Sequence, residues 1–205
     1  IGVAWGATLT EVSRHLPKRP LEGVSVVQLN GAGNAHHSGI PYLGTLLGRM
    51  VSAYDAYMIH FPVPAFFDFA DTKAAMWRER SIQATLQVQS RVDVAVFGIG
   101  AFGGAIPSHV YSGGYFDVTE QRLLREQGVV GDICTVLLRE DGSWNDLEIN
   151  RRASGPSPQE LSRIPRRICV ASGTHRAAAL RGALRTGAIT DLVLDEKLAR
   201  AVMEK

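Results

Sequence analysis

Four short stretches place small residues, hydroxyls and amides where apolar runs end: "WGAT" at 5–8, "NGAGN" at 30–34, "FGIGAFGG" at 97–104 and "ASGTHR" at 171–176. Glycine at such a point opens the backbone to a ligand. "WGAT" and "SGTHR" run straight into helical patterns, where the first N–H groups have no intrahelical partner and favour an anion. Thr8, Ser172 and Thr174 add hydroxyls beside those groups, and Arg176 adds a guanidinium fork suited to phosphate. Together these groups form a cradle for a phosphorylated polyol. For any single loop the plainer reading is better: glycine lets a strand turn into a helix and threonine is an ordinary cap. Several such loops in one sheet favour a site.

Asp132, in "VVGDIC", puts a carboxylate into an apolar strand, which is costly unless it meets a partner or a ligand hydroxyl. A turn or capping aspartate is an equal reading of the same residue. Cys169 with His175 or Ser172 can be drawn as nucleophile and base, but no G-x-S-x-G or oriented Cys-His pair demands it. The phosphate-binding pattern G-x-x-x-x-G-K-[ST] is absent. Gly98, Gly100 and Gly103 do satisfy G-x-G-x-x-G, yet Pro107 and a polar "SHVYSGG" follow where a helix should start, so a dinucleotide is discounted. His36 and His37 are adjacent and diverge, and His60 lies in an apolar strand. No metal site and no cofactor are expected.

With 205 residues, 45% of them hydrophobic, the chain is long enough for one sizeable core and reads as one α/β domain. Lys and Arg total 22 against 20 Asp and Glu, a net charge of +2 without a run of like charges, so the chain is not expected to hold nucleic acid by itself. Cys134 and Cys169 sit in apolar runs and read as reduced core thiols. No apolar stretch is long enough to span a bilayer, and no signal peptide is recognisable. The expected location is cytoplasmic, with no membrane partner. Ile1 to Trp5 already reads as strand interior, so the chain is expected to be a piece of a longer one.

The elements that must position these loops follow from the hydrophobic pattern. "IGVAWGATLTEVSRHL" predicts a strand, a turn at Gly6 and an amphipathic helix with Leu9, Val12 and Leu16 on one face, closed by Pro17 and Pro20. "VSVVQLNGAGN" is a second buried strand, followed by a helical pattern starting near Pro41. "YMIHFPVPAFF" gives a short strand ended by prolines, and "DTKAAMWRERSIQATLQVQSR" gives a helix with Asp71 as N-cap. "VDVAVFGIGAFGG" reads as a strand covered on both faces. A short helix, "TEQRLLREQG", leads to "VVGDICTVLLREDGSWNDLEIN", two strand-like runs around an Asp141-Gly142 turn, an antiparallel insertion or flank. The closing segment returns to strand, helix, strand, helix, with Gly187 as a helix C-cap. The fold class is α/β: a doubly wound, mostly parallel sheet with a small antiparallel β flank, whose ligands bind beyond the carboxyl ends of the strands.

In order from Ile1 to about Met203, "IGVAWGATL", "VVQLNGAG", "FPVPAFF", "VDVAVFGIG", "VVGDIC" and "VASGTHRAAALRGALRTGAITDLVLDEKLA" resemble the effector-binding domain of SorC-type bacterial transcriptional regulators. The resemblance implies a fold similar to sugar-phosphate isomerases and glucosamine-phosphate deaminases, and a non-enzymatic site that senses a phosphorylated sugar instead of converting it. It also implies a homodimer or tetramer, and operator DNA bound only through an N-terminal helix-turn-helix domain absent here, removed together with the first strand and helix of the effector domain.

Carried over by position, the phosphate cradle is Gly6, Ala7 and Thr8, with Asn30 and Gly31 in the second loop, Gly98 and Gly100 lining the third, and Asp132 meeting sugar hydroxyls. Ser172, Gly173, Thr174 and Arg176 form the last loop. Two departures stand out. Arg176 occupies a place where the family usually has lysine, and a guanidinium that keeps its proton cannot form a Schiff base with an open-chain sugar. Ala7 stands where a larger hydroxyl or basic residue is common. The rival reading is an isomerase or deaminase on the same sheet with Asp132 or His175 as base; a third is an oligomerisation module with an empty site.

Overall fold

A computed structural model describes residues 1–34, 43–103 and 108–204. Its elements are β1 (Gly2–Val3), α1 (Ala7–Arg14), β2 (Ser25–Gln28), α2 (Leu43–Tyr54), β3 (Tyr57–Ile59), α3 (Ala70–Met76), α4 (Arg80–Gln89), β4 (Val94–Phe97) and β5 (Gly100–Ala101). There follow α5 (His109–Ser112), α6 (Val118–Glu126), β6 (Val129–Ile133), β7 (Val136–Arg139), α7 (Pro158–Leu161), β8 (Arg166–Ala171), α8 (Ala177–Arg185), β9 (Asp191–Leu194) and α9 (Glu196–Met203). Six of the strands pair in parallel in the order β3-β2-β1-β4-β8-β9, and β5-β6-β7 form a separate antiparallel sheet. The expected doubly wound sheet with an antiparallel flank is what forms.

Successive residues of the central strands serve two different cores. Val3 and Val26 pack on one face with Leu9 of α1 and with Leu46, Leu47 and Met50 of α2. Ala4 and Val27 pack on the other with Leu180 and Ala183 of α8 and Leu198 of α9. A sheet covered on both faces needs strands apolar at consecutive positions, which is why "VSVV" and "VDVAVF" read as runs and not as alternations.

The chain enters the flank directly from the central strand β4. The chain leaves the parallel sheet after Phe97 and joins the antiparallel one at Gly100, which pairs with Asp132. The close approach demands glycine at Gly131, where a Cβ would lie 2.2 Å from the Gly100 carbonyl oxygen and 2.4 Å from the Ala179 Cβ. Asp132 is thereby carried over the carboxyl ends of the parallel strands.

Three local expectations are corrected. The stretch expected as one helix with Asp71 as cap forms two helices, α3 and α4, because the chain breaks at 77–79, where the Trp77 ring turns inward to meet the edges of Phe61 and Phe67. Asp71 sits in the first turn of α3 and Phe69 is its N-cap. The hairpin in the flank turns at Cys134 and Thr135, not at Asp141-Gly142: Ile133 pairs with Val136, and the chain after Gly142 forms a 3-10 turn at Glu148–Arg151 in place of a strand. Cys134 and Thr135 both have positive φ, 50° and 73°, the backbone of a two-residue hairpin turn that glycine or asparagine usually supplies. Holding non-glycine residues there costs roughly 1–2 kcal/mol each. Gly187, at φ 71° directly after the last turn of α8, ends that helix as expected. The helix start near Pro41, the pair His36 and His37, and Pro107 lie outside the described residues.

Candidate functional site

The sheet order reverses direction between β1 and β4, and a cavity of about 140 Å³ opens there, beyond the carboxyl ends of both strands. Gly6, Ala7, Thr8, Asn30, Gly98, Gly100, Asp132 and Arg176, all singled out in the sequence, line it. So do Trp5, Ile99, Ser108, His109, Val110, Cys134 and Thr135, which were not.

Asp132 is the chemical centre of this cavity. Its Oδ2 accepts the Thr135 N–H at 3.2 Å, while Oδ1, fully buried, has no hydrogen-bond partner among the described residues. Burial pushes the carboxyl up to about 7, against the lowering effect of the Thr135 N–H and of the nearby Tyr111 hydroxyl. That hydroxyl is itself buried, and among the described residues it bonds no other group. Burial and the neighbouring Asp132 raise the Tyr111 phenol well above its ordinary value, so it stays neutral.

Asn30 supplies a second acceptor. It is 1% exposed, and its Oδ1, on the same cavity wall, has no partner among the described residues. Its loop is held rigidly: the Gln28 amide donates to the Asn30 carbonyl at 2.7 Å, and Trp5 Nε1 donates to the Gly31 carbonyl at 2.7 Å. The Trp5 ring, thus fixed, stacks on Tyr115 and meets His109 edge-on, giving the cavity an aromatic side. Gly31 itself faces the Pro64 carbonyl, where a Cβ would lie 2.2 Å away. Its part is packing behind Asn30, outside the cavity lining.

At the start of α1 the cavity meets open backbone. Gly6 precedes the helix in an extended conformation, and a Cβ there would touch nothing within 4 Å among the described residues. The first helical residues, Ala7 and Thr8, line the cavity, and their N–H groups have no intrahelical partner.

The last loop contributes less than its sequence promised. Gly173, at φ 94°, donates its N–H to Asp195 Oδ2 at 2.7 Å, and the same carboxylate caps α9 by accepting from Leu198 at 2.8 Å. These bonds hold Asp195 below the usual carboxylate range. A carboxylate of this chain thus fills the place offered to an anion, and Ser172, Gly173 and Thr174 stand outside the cavity lining. Arg176 alone from this loop reaches it. Its Nε donates to the Ile99 carbonyl at 3.1 Å and its Nη1 to the Ser172 carbonyl. Among the described residues it makes no ion pair.

The drawn nucleophile fails on geometry and charge. Cys169 is fully buried within β8, and burial pushes its thiol up to about 12; burial likewise raises the Cys134 thiol well above its ordinary value. Neither supplies thiolate at neutral pH. His175 is exposed and outside the cavity lining. The described residues hold no cluster of three or more potential metal ligands, and none of their helices is long and apolar enough to cross a membrane.

The fold and this site define a doubly wound α/β ligand-binding domain. Residues 1–204 match the family described as "Putative sugar-binding domain", and the chain belongs to that family. It is 30% identical over 203 residues to the deoxyribonucleoside regulator of Bacillus subtilis (strain 168), covering 99% of this chain and 64% of that protein. It is 30% identical over 205 residues to the transcriptional regulator LsrR of Enterobacter sp. (strain 638), covering 99% and 61%. The chain thus spans about three-fifths of the length of the curated relatives it matches. Among solved structures, a domain of a possible sugar-binding transcriptional regulator from Arthrobacter aurescens TC1 superposes with a TM-score of 0.91 at 47% identity, covering 99% of this chain and 77% of that one. The full-length sorbitol operon regulator SorC from Klebsiella pneumoniae shares the fold at a TM-score of 0.88 and 21% identity, covering 99% and 66%. The resemblance to SorC-type regulators read from the motifs holds.

Proposed function

We propose that this chain is the effector-sensing domain of a sugar-responsive bacterial transcriptional regulator, and that the effector is a phosphorylated sugar seated between α1, Asn30 and Asp132. The observation that carries this reading is the pair of buried acceptors, Asn30 Oδ1 and Asp132 Oδ1, both without a donor among the described residues and both on one cavity wall. Each buried acceptor left unsatisfied costs about 1–3 kcal/mol, and a polyol brings the hydroxyl donors that remove the penalty. The phosphate lies at the start of α1, over Gly6, Ala7 and Thr8, where free N–H groups and the helix dipole favour a dianion.

Arg176 closes the opposite side. A guanidinium has five N–H donors, so the two bonds to Ile99 and Ser172 leave others for phosphate. Because arginine keeps its proton, the sugar is held without a covalent bond, and the domain senses its ligand without converting it. In the full-length protein, operator DNA is read by a helix-turn-helix segment outside this chain, and the ligand acts by preferring one packing of a homodimer or tetramer.

One observation favours a second reading: a carboxyl near neutrality is poised for proton transfer. An isomerase or deaminase would show turnover of an aldose or ketose phosphate that Asp132→Asn abolishes. A thermal-shift series of sugar mono- and bisphosphates beside their unphosphorylated parents tests the sensor, since a ligand of the folded state raises Tm by mass action. Shifts confined to phosphorylated sugars and unaccompanied by turnover support it; no shift with any of them overturns it.

A further inference from the structure

The two acceptors that face the cavity come from distant parts of the chain, the loop after β2 and the end of β6, yet both are tied to the same two consecutive residues. Ser154 Oγ accepts the Gly31 N–H at 2.9 Å, immediately after Asn30, and donates to the Ala65 carbonyl at 2.9 Å. Its own N–H donates to that carbonyl at 3.0 Å, so Ser154 is fixed from two sides. The next residue, Gly155, donates its N–H to Thr135 Oγ1 at 3.3 Å. Thr135 in turn gives its N–H to Asp132 Oδ2.

Contacts of this closeness are not incidental. A Cβ on Gly155 would lie 1.6 Å from the Cys134 carbonyl oxygen, so only glycine lets the 154–155 segment press against the hairpin tip. Thr135 keeps a β-branched side chain at φ 73°, where glycine or asparagine would sit more easily. What threonine offers in exchange is the hydroxyl that accepts from Gly155 and donates to the Cys134 carbonyl. Ser154 is 3% exposed and buried with its bonds satisfied, so it offers nothing to solvent and everything to the loop behind Asn30.

We propose that Ser154 and Thr135 are positioning residues that fix Asn30 Oδ1 and Asp132 Oδ1 relative to each other through the 154–155 segment, and so set which arrangement of sugar hydroxyls the cavity accepts. The selectivity part rests on the sugar-sensing reading; the clamp itself does not. Neither residue needs to touch the ligand with its hydroxyl. A ligand that bridges both acceptors tightens the clamp, and loosening either end changes discrimination between sugar epimers more than it changes the fold.

The first test is free of ligand. In the 13C-labelled chain, the Asp132 carboxyl titration is followed by NMR in the wild type and in Thr135→Gly, Thr135→Ser and Ser154→Ala. The other ionisable groups around this carboxyl are Tyr111 of α5, Cys134 of the turn, and Arg176 and His109 on the cavity wall, and all are retained in every variant. Thr135→Gly relieves the positive φ, so Tm is kept or raised. The clamp predicts that its Asp132 midpoint nevertheless rises by about half a unit or more, because the Thr135 N–H is no longer held on Oδ2. Thr135→Ser keeps the hydroxyl and restores the midpoint. Ser154→Ala speeds amide exchange at Gly155 as well as at Gly31.

A wild-type midpoint in Thr135→Gly, or faster exchange in Ser154→Ala confined to Gly31, overturns the proposal. The two readings fail separately. If the midpoints shift as expected and no sugar phosphate binds, the clamp stands and the sensor falls. If ribose 5-phosphate and arabinose 5-phosphate bind with the same affinity ratio in wild type and Thr135→Gly, the sensor stands and the clamp's part in selectivity falls.

Discussion

Asp132 lies directly over the backbone of Gly100: a Cβ added there would sit 1.8 Å from Oδ1 and 2.9 Å from Ser108 Oγ. Gly100 and Asp132 pair directly across β5 and β6, so the glycine is what lets the carboxyl group take this place at the end of an apolar strand. Gly100→Ala is expected to displace Asp132, lowering stability by about 1–3 kcal/mol as an overpacked core does, and to remove effector binding. Gly6→Ala is the contrasting variant. Its Cβ meets nothing within 4 Å among the described residues and its backbone is extended, so urea unfolding stays near wild type while binding weakens, because the methyl enters the space assigned to phosphate.

The raised Asp132 carboxyl also has a sign in stability. Its folded-state pKa, about 7, lies above the ordinary 3.8, so the folded protein keeps a proton that the unfolded chain has released between those values. Stability from this group is full below about pH 4, falls as pH rises toward 7 and levels off above. The span of the shift sets an upper bound of about 4 kcal/mol. Asp132→Asn removes the titration. The variant should be more stable than wild type at pH 8, with the difference shrinking toward pH 4 in paired thermal melts; a difference that grows toward low pH would refute the assignment.

Arg176 bridges the last loop and the Ile99 carbonyl while facing the cavity. A charge-assisted bond to phosphate is worth about 1.5–3 kcal/mol, so Arg176→Ala should weaken a phosphorylated effector by roughly ten- to a hundredfold. The unphosphorylated parent should lose much less. Arg176→Lys keeps the charge and loses the fork, and an intermediate affinity by calorimetry is the expected result.

Both cysteines should behave as core atoms. With Cys134 and Cys169 buried and their thiols pushed up, labelling by a disulfide reagent at pH 8 should track global unfolding in added urea and be negligible in the native protein. Rapid native labelling of either residue would contradict the burial described.

Much of this was legible in the chain because the relevant physics is local. Strands covered on both faces announce themselves as unbroken apolar runs, and Asp132 stands out because a carboxylate at the end of such a run needs a reason. Gly6 and Gly98 mark strand ends beside the reversal of the sheet order. The missed features depend on long-range meetings. The anion place at Gly173 is taken by Asp195, 22 residues on, which no spacing rule connects. The hairpin turn at Cys134-Thr135 defies ordinary turn chemistry, since the strain at Thr135 is held by Gly155 from another segment, while Asp141-Gly142 has the expected residues and turns elsewhere. Trp5, Ser108 and His109 reach the cavity only once β1 and α5 are brought together. A tryptophan at a strand end was the one available hint.

A phosphorylated sugar in the cavity between α1, Asn30 and Asp132 should leave a distinct pattern of chemical shifts. This is tested most directly by titrating the 15N- and 13C-labelled chain with sugar phosphates and, separately, with their unphosphorylated parents. Saturable shifts are expected at the amides of Gly6, Ala7 and Thr8 and at the side chains of Asn30 and Asp132, with the α1 amides responding only to the phosphorylated form. Shifts of Gly6 to Thr8 that are equal for both forms, or shifts confined to residues away from this cavity, would contradict it.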